Sequence, residues 1–127
     1  MNHEEYNLQK NLCRYLDLKY PKILYMSDTI ANLKLSIVQA VRNKAIQKDC
    51  FKCPDLLIFE PRNGFNGLFI EIKIKSPFKK NGEILKNEHL EGQYATIQRL
   101  NELGYMACFG VGFDECVKII EKYMSNN

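Results

Sequence analysis

The stretch that most constrains this chain runs from Pro54 to Lys73. It reads Pro54-Asp55-Leu56-Leu57-Ile58-Phe59-Glu60, then a glycine-bearing connection, then Leu68-Phe69-Ile70-Glu71-Ile72-Lys73. Two apolar runs of strand length thus carry charges within them or at their ends. Charge in such surroundings is costly unless it is paired or binds a metal. Pro54 has no amide proton to give to a ladder and marks a strand start. Pro61-Arg62-Asn63-Gly64-Phe65-Asn66-Gly67 has the composition of a hairpin connection. Folding the ribbon about Gly64 places Asp55 opposite Lys73 and Leu57 opposite Glu71. Alternate side chains share a face, so Asp55, Glu71 and Lys73 come together at one end of the ribbon.

The flanking segments supply helices. Leu8, Leu12 and Leu16 recur at helical spacing within residues 4–19. Glu5 falls near the centre of that apolar stripe, and Gln9 lies on the same side. A carboxylate on a core-facing stripe is unusual, although a helix start also favours Glu through the dipole. Tyr20-Pro21 ends this helix. Ile23–Met26 is a short strand, followed by a loop at Ser27, Asp28 and Thr29. Residues 32–48 form a second helix with Leu33, Ile37, Ala40, Val41 and Ala45 on its packing side, and Lys34, Arg42, Lys44 and Lys48 on the other. Beyond the ribbon, residues 75–87 read as a basic loop. Residues 88–103 read as a helix with Leu90, Gln93, Ile97, Leu100 and Leu103 inward, stopped by Gly104. Tyr105–Val111 is a buried strand. Residues 113–123 close the chain with Val117, Ile120 and Tyr123 packing inward. The order α-(β)-α-β-β-α-β-α predicts one domain over 1–127. Its fold class is α/β, a mixed sheet with helices on both faces.

Composition narrows the function classes. The 127 residues are 46% hydrophobic and 26% charged, with a formal net charge of +3. This mild basicity permits a nucleic-acid partner without demanding one. No apolar run has the length of a membrane span, and the polar, acidic start is unlike a signal peptide. The expected location is therefore cytoplasmic. Cys13, Cys108 and Cys116 lie in apolar contexts and read as core thiols. Cys50-Phe51-Lys52-Cys53 is a C-x-x-C without the second ligand pair that a zinc site needs.

Two carboxylates on one face repel unless a cation lies between them. Oxygen ligands at an open site suit Mg²⁺ or Mn²⁺ rather than zinc. Such an ion activates water and neutralises phosphate charge. Lys73 points the same way and offsets charge on a scissile phosphate. Glu5 is placed to complete the metal shell, and Gln93 to orient Lys73 or a water. A cross-strand Asp–Lys pair beside a capping Glu is the structural alternative. Candidate DNA contacts are Lys44, Lys48, Lys52, Lys79 and Lys80, any one of which alone reads as a solvated lysine.

With these residues in view, Pro54-Asp55…Glu71-Ile72-Lys73 resembles the PD-(D/E)xK nuclease superfamily. More narrowly, the chain resembles the VRR-Nuc family of virus-type replication-repair nucleases. The likeness rests on Glu5-x-x-x-Gln9, Pro54-Asp55-Leu56, Glu60-Pro61-Arg62, Gly67–Lys73, and Gln93 followed by Leu100, Gly104 and Tyr105. It implies a restriction-endonuclease-like fold and a metal-dependent endonuclease acting in DNA replication, recombination or repair. Carried over by position, Asp55, Glu71, the backbone carbonyl of Ile72 and Glu5 bind metal. Lys73 is the catalytic lysine and Gln93 the further motif residue. Small stand-alone members resemble homodimers that act on branched DNA such as four-way (Holliday) junctions. The alternatives are a flap- or nick-directed nuclease and a catalytically silent binding module. Lys52-Cys53 departs from the glycine that often precedes Pro-Asp in the family.

Overall fold

A computed structural model describes residues 3–27 and 34–125. The elements run α1 (His3–Lys19), β1 (Tyr25–Ser27), α2 (Ile37–Ala45), β2 (Leu56–Ile58), β3 (Leu68–Lys73), α3 (Glu88–Glu102), β4 (Met106–Val111) and α4 (Gly112–Ser125). The four strands form one sheet in the order β1-β2-β3-β4. β1–β2 and β2–β3 pair antiparallel, and β3–β4 pairs parallel. Among the described residues no helix is long and apolar enough to cross a membrane.

The alternation of the strands divides the core. Leu56, Ile58, Leu68, Ile70 and Ile72 face α1 and α4, meeting Leu8, Leu12 and Leu16 on one helix and Ile120 and Tyr123 on the other. Leu57, Phe69, Ala107 and Phe109 face the opposite way, onto Ile97 and Leu100 of α3. Both sheet faces are therefore covered by helices, as the element order predicted. Gly110 sits where β4 passes closest to its cover. A Cβ there would come within 2.5 Å of Cys116 Sγ and 2.9 Å of Ile70 Cγ2.

The hairpin register differs from the expected one. Leu56 pairs with Ile70 and Leu57 with Phe69, so one further step sets Asp55 opposite Glu71 rather than Lys73. Two features shift the ladder by two residues. The turn closes between Asn63 (φ 54°) and Gly64 (φ 85°), with Arg62 and Phe65 exchanging backbone hydrogen bonds of 3.1 and 2.8 Å. Positive φ at both central positions is what a tight, twist-matched hairpin turn needs. Between that bridge and the Ile58–Leu68 pair, Phe59, Glu60 and Pro61 oppose only Asn66 and Gly67. The extra residue makes a bulge within 59–61, a stretch in which Pro61 has no ladder donor to lose. Because the shift is even, every side chain keeps its face.

Other expectations need correction. The second helix is shorter than 32–48. Ser36 caps it through a reciprocal capping box with Gln39, and it ends at Ala45. Its apolar side does not pack: α2 buries none of its residues, and Ile37 and Val41 are 84% and 64% exposed. The expected start at 32, with Leu33, and the loop residues Asp28 and Thr29 lie outside the described residues. The basic segment 75–87 is a small hairpin rather than an open loop. Phe78 bridges Ile84, and both pack on the α3-side core. Leu103 is exposed at the C-cap of α3, and Thr96 takes an inward position instead.

Gly110→Ala is expected to destabilise the chain by about 1–3 kcal/mol, since the buried Cys116 and Ile70 side chains must shift to admit the methyl group. Gly110→Ser should cost no less. Denaturant unfolding monitored by circular dichroism measures both.

Candidate metal and phosphate site

The charged end of the ribbon lies in a cleft of about 460 Å³. Asp55 enters from the start of β2 and Glu71 and Lys73 from the end of β3. Glu5 comes from the first turns of α1, and His89 and Gln93 from those of α3. Antiparallel pairing brings the start of β2 to the end of β3, and two helix N-termini reach the same place. Gln9, buried on α1, donates from Nε2 to Ser27 Oγ and to the backbone carbonyl of Asp55 (3.5 Å). It thereby ties α1 to the Pro-Asp turn, a structural role that its core-facing position in the sequence hinted at.

Glu71 is 4% exposed. Burial, a hydrogen bond with the Asp55 side chain and the nearby Asp55 charge push its carboxyl up from 4.5 to about 10, against the opposing pull of Lys73. Asp55 Oδ2 accepts a hydrogen bond from the Ile72 amide at 3.0 Å. Its carboxylate is thus fixed to the strand that carries Glu71. Lys73 is half-buried, with Nζ 6.0 Å from the centroid of the Phe109 ring, a cation–π contact that keeps the ammonium over β4 beside Glu71. Gln93 is buried, and its Nε2 lies 3.1 Å from His89 Nε2. The sequence did not single out His89; its place four residues before Gln93, on the same helix face, was the available signal.

The structure brings Asp55, Glu71, Ile72, Lys73, Gln93 and Glu5 to one cleft. Glu5 raises the Glu71 carboxyl only as the last of its named influences, behind Asp55. Among the described residues no three His, Cys, Asp or Glu side chains converge as a metal-binding set. The donors that do meet are two carboxylates and the Ile72 main chain. Their chemistry fits a hard divalent cation, because a pair that can be buried together only by keeping a proton is one that an ion between them would relieve.

The lysines are dispersed. Lys52 lines the cleft, its stem lying against Gly92 of α3 and its amide donating to Thr96 Oγ1. Asn43 and Gln47 line it from the α2 side, whereas Lys44 and Lys48 are exposed elsewhere on that segment. Lys79 lies 3.9 Å from Glu83, and Lys80 is exposed beside it. Cys53 packs against the α3-side core, and Cys50 is exposed in a left-handed turn (φ 61°). This pair forms no metal cluster among the described residues. Burial pushes the Cys108 and Cys116 thiols up to about 11 and about 12, consistent with inert structural thiols. Cys13 is half-buried.

No family profile matches the chain, and no curated protein matches it. Its fold does match a solved structure, a "VRR_NUC domain protein", at a TM-score of 0.61 with 23% identity. That match covers 95% of this chain and 88% of the other. The chain has the VRR-Nuc fold. Within that restriction-endonuclease-like architecture, the Pro-Asp turn and Glu71-Ile72-Lys73 lie on adjacent strands at the mouth of the cleft.

The raised Glu71 pKa makes a stability prediction. Below about pH 4.5 the carboxyl is protonated in both folded and unfolded chains. As pH rises towards about 10 the unfolded chain releases the proton and the folded chain holds it, so folding stability falls across that window. Metal-free Glu71→Gln should therefore melt above the parent at about pH 8 and converge with it near about pH 4.5. Thermal melts in chelator across that range measure the difference.

Proposed function

We propose that this chain is a divalent-metal-dependent DNA endonuclease hydrolysing phosphodiester bonds. The observation that carries the reading is the buried Glu71 carboxyl hydrogen-bonded to the half-buried Asp55, held at the mouth of a cleft beside Lys73. Asp55, Glu71 and the Ile72 carbonyl would hold Mg²⁺ or Mn²⁺, with Glu5 contributing from α1. When bound, the ion lowers the pKa of water and neutralises phosphate charge. The protein's own part is positional. Asp55 is anchored by the Ile72 amide, so the two carboxylates keep their spacing. Lys73 has only donors to offer, and its ammonium meets the non-bridging oxygens of the scissile phosphate. The Gln93 amide orients the attacking water. Lys52 guides the backbone at the cleft, and Lys44, Lys48, Lys79 and Lys80 supply weaker, diffuse attraction to DNA.

Branched DNA, including four-way junctions, is the proposed substrate, which one domain with one cleft would cut symmetrically only as a homodimer. The exposed apolar stripe of α2 supports that assembly. A helix of nine residues is marginal in water by itself, and Ile37, Val38 and Val41 lie uncovered on it. A second copy presenting the same stripe would cover both in an isologous contact. The competing reading, a DNA-binding module without turnover, draws on the lack of a three-residue ligand set among the described residues. Two carboxylates and a carbonyl nonetheless suffice for an ion that keeps much of its water shell.

Asp55→Ala and Lys73→Ala should each lower cleavage of a four-way-junction substrate in Mg²⁺ or Mn²⁺ by at least about 100-fold, while circular dichroism stays unchanged. Chelator should abolish the parent activity. Full cleavage by both variants would sink the proposal, and metal binding without cleavage by the parent would favour the silent module. Replacing Ile37 and Val41 together by Asp should convert a dimer to a monomer in light scattering, with little loss of core stability. A parent that is monomeric at working concentration would rule out the dimer.

A further inference from the structure

His89 and Gln93 stand one helical turn apart on α3 and both line the cleft that holds Asp55, Glu71 and Lys73. Gln93 is only 7% exposed. Its amide nitrogen meets His89 Nε2 at 3.1 Å, and its Oε1, also buried, has no hydrogen-bond partner among the described residues. A buried amide oxygen left without a donor costs free energy, so an arriving donor has a place prepared for it. An amide's oxygen and nitrogen occupy nearly the same space. Which of them faces the cleft is decided by the neighbour that takes the other one.

We propose that His89 is a positioning residue, whose Nε2 accepts a hydrogen bond from the Gln93 amide nitrogen and so turns Gln93 Oε1 into the cleft as acceptor for the attacking water. The assignment rests on the phosphodiesterase reading above. It requires a neutral imidazole with its proton on Nδ1. The surroundings favour the neutral ring: desolvation on the cleft side and the Lys73 and Lys52 ammoniums oppose a second proton, against the weaker opposite pull of Asp55. With the proton on Nε2 instead, the ring would take Gln93 Oε1 and leave an NH₂ facing the cleft. That group would repel a water whose protons must point away from the phosphate.

The mechanism predicts a specific pattern. Gln places an acceptor oxygen about where imidazole Nε2 lies, so His89→Gln should keep kcat within about 3-fold, whereas His89→Leu should lower kcat by about 10- to 100-fold. KM for junction DNA should change little in either. In a Gln93→Ala background, His89→Leu should have no further effect, because its influence passes through the amide. An effect of His89→Leu on KM alone, or an equal loss of kcat with Gln93 already removed, would overturn the proposal. So would unchanged kcat in His89→Leu. Nitrogen-15 NMR of the metal-free chain adds a readout that does not depend on turnover. The expected spectrum shows an unprotonated Nε2 and a protonated Nδ1 at His89. An Nε2–H tautomer overturns the positioning role even in an active enzyme. The expected tautomer in a parent that cuts no DNA would keep the His89–Gln93 geometry and discard the nuclease reading.

Discussion

Glu71 is held where a carboxylate is least welcome, buried and hydrogen-bonded to a second acid. Most of the surrounding structure serves to keep it there. The parallel pairing of β3 with β4 sets Glu71 beside Phe109, and Lys73 extends over the same ring. The Ile72 amide pins Asp55 across the ladder, and Gln9 holds the Asp55 main chain from below. Both ties act on Asp55, so together they fix the second acid against the strand that carries Glu71. The arrangement costs stability at neutral pH, as strain held at a cleft does when the surrounding structure over-determines it.

Helix placement reinforces the same end of the sheet. α1 and α3 lie on opposite faces, yet both begin beside the cleft, with Glu5 and Gln9 on one and His89 and Gln93 on the other. Helix N-termini carry partial positive charge. Two of them meet Lys52 and Lys73 in the cleft, opposite the acids Glu5, Asp55 and Glu71, so charge of both signs is concentrated there although the net charge of the whole chain is only +3. The basic side chains away from the cleft, Lys44, Lys48, Lys79 and Lys80, lie outside this arrangement.

Much of this could be read from the residues alone. The leucine spacing of the first helix, the inward Gln93 and the charges of the ribbon all follow from short periodicities, and the structure places them as those periodicities require. What could not be read depended on contacts outside the local pattern. The apolar stripe of α2 has a packing helix's periodicity, yet whether a neighbour exists is a tertiary fact, and here none of its residues is buried. Hairpin register differs by two residues because neither the turn's closing at Asn63-Gly64 nor the extra residue within 59–61 leaves a trace in alternation. His89 escaped notice because a lone histidine gains meaning only from the amide beside it.

The bulge and the tight Asn63-Gly64 turn also act as a phase control. Unless the bulge absorbs it, adding or removing one residue between Ile58 and Leu68 would rotate all of β3 by half a period, turning Ile70 and Ile72 towards α3 and Glu71 and Lys73 towards the leucines of α1. Adding or removing two would slide the strand while keeping its sides. In lineages related to this chain, the length of this connection should therefore vary in even steps far more readily than in odd ones, whatever the loop's sequence.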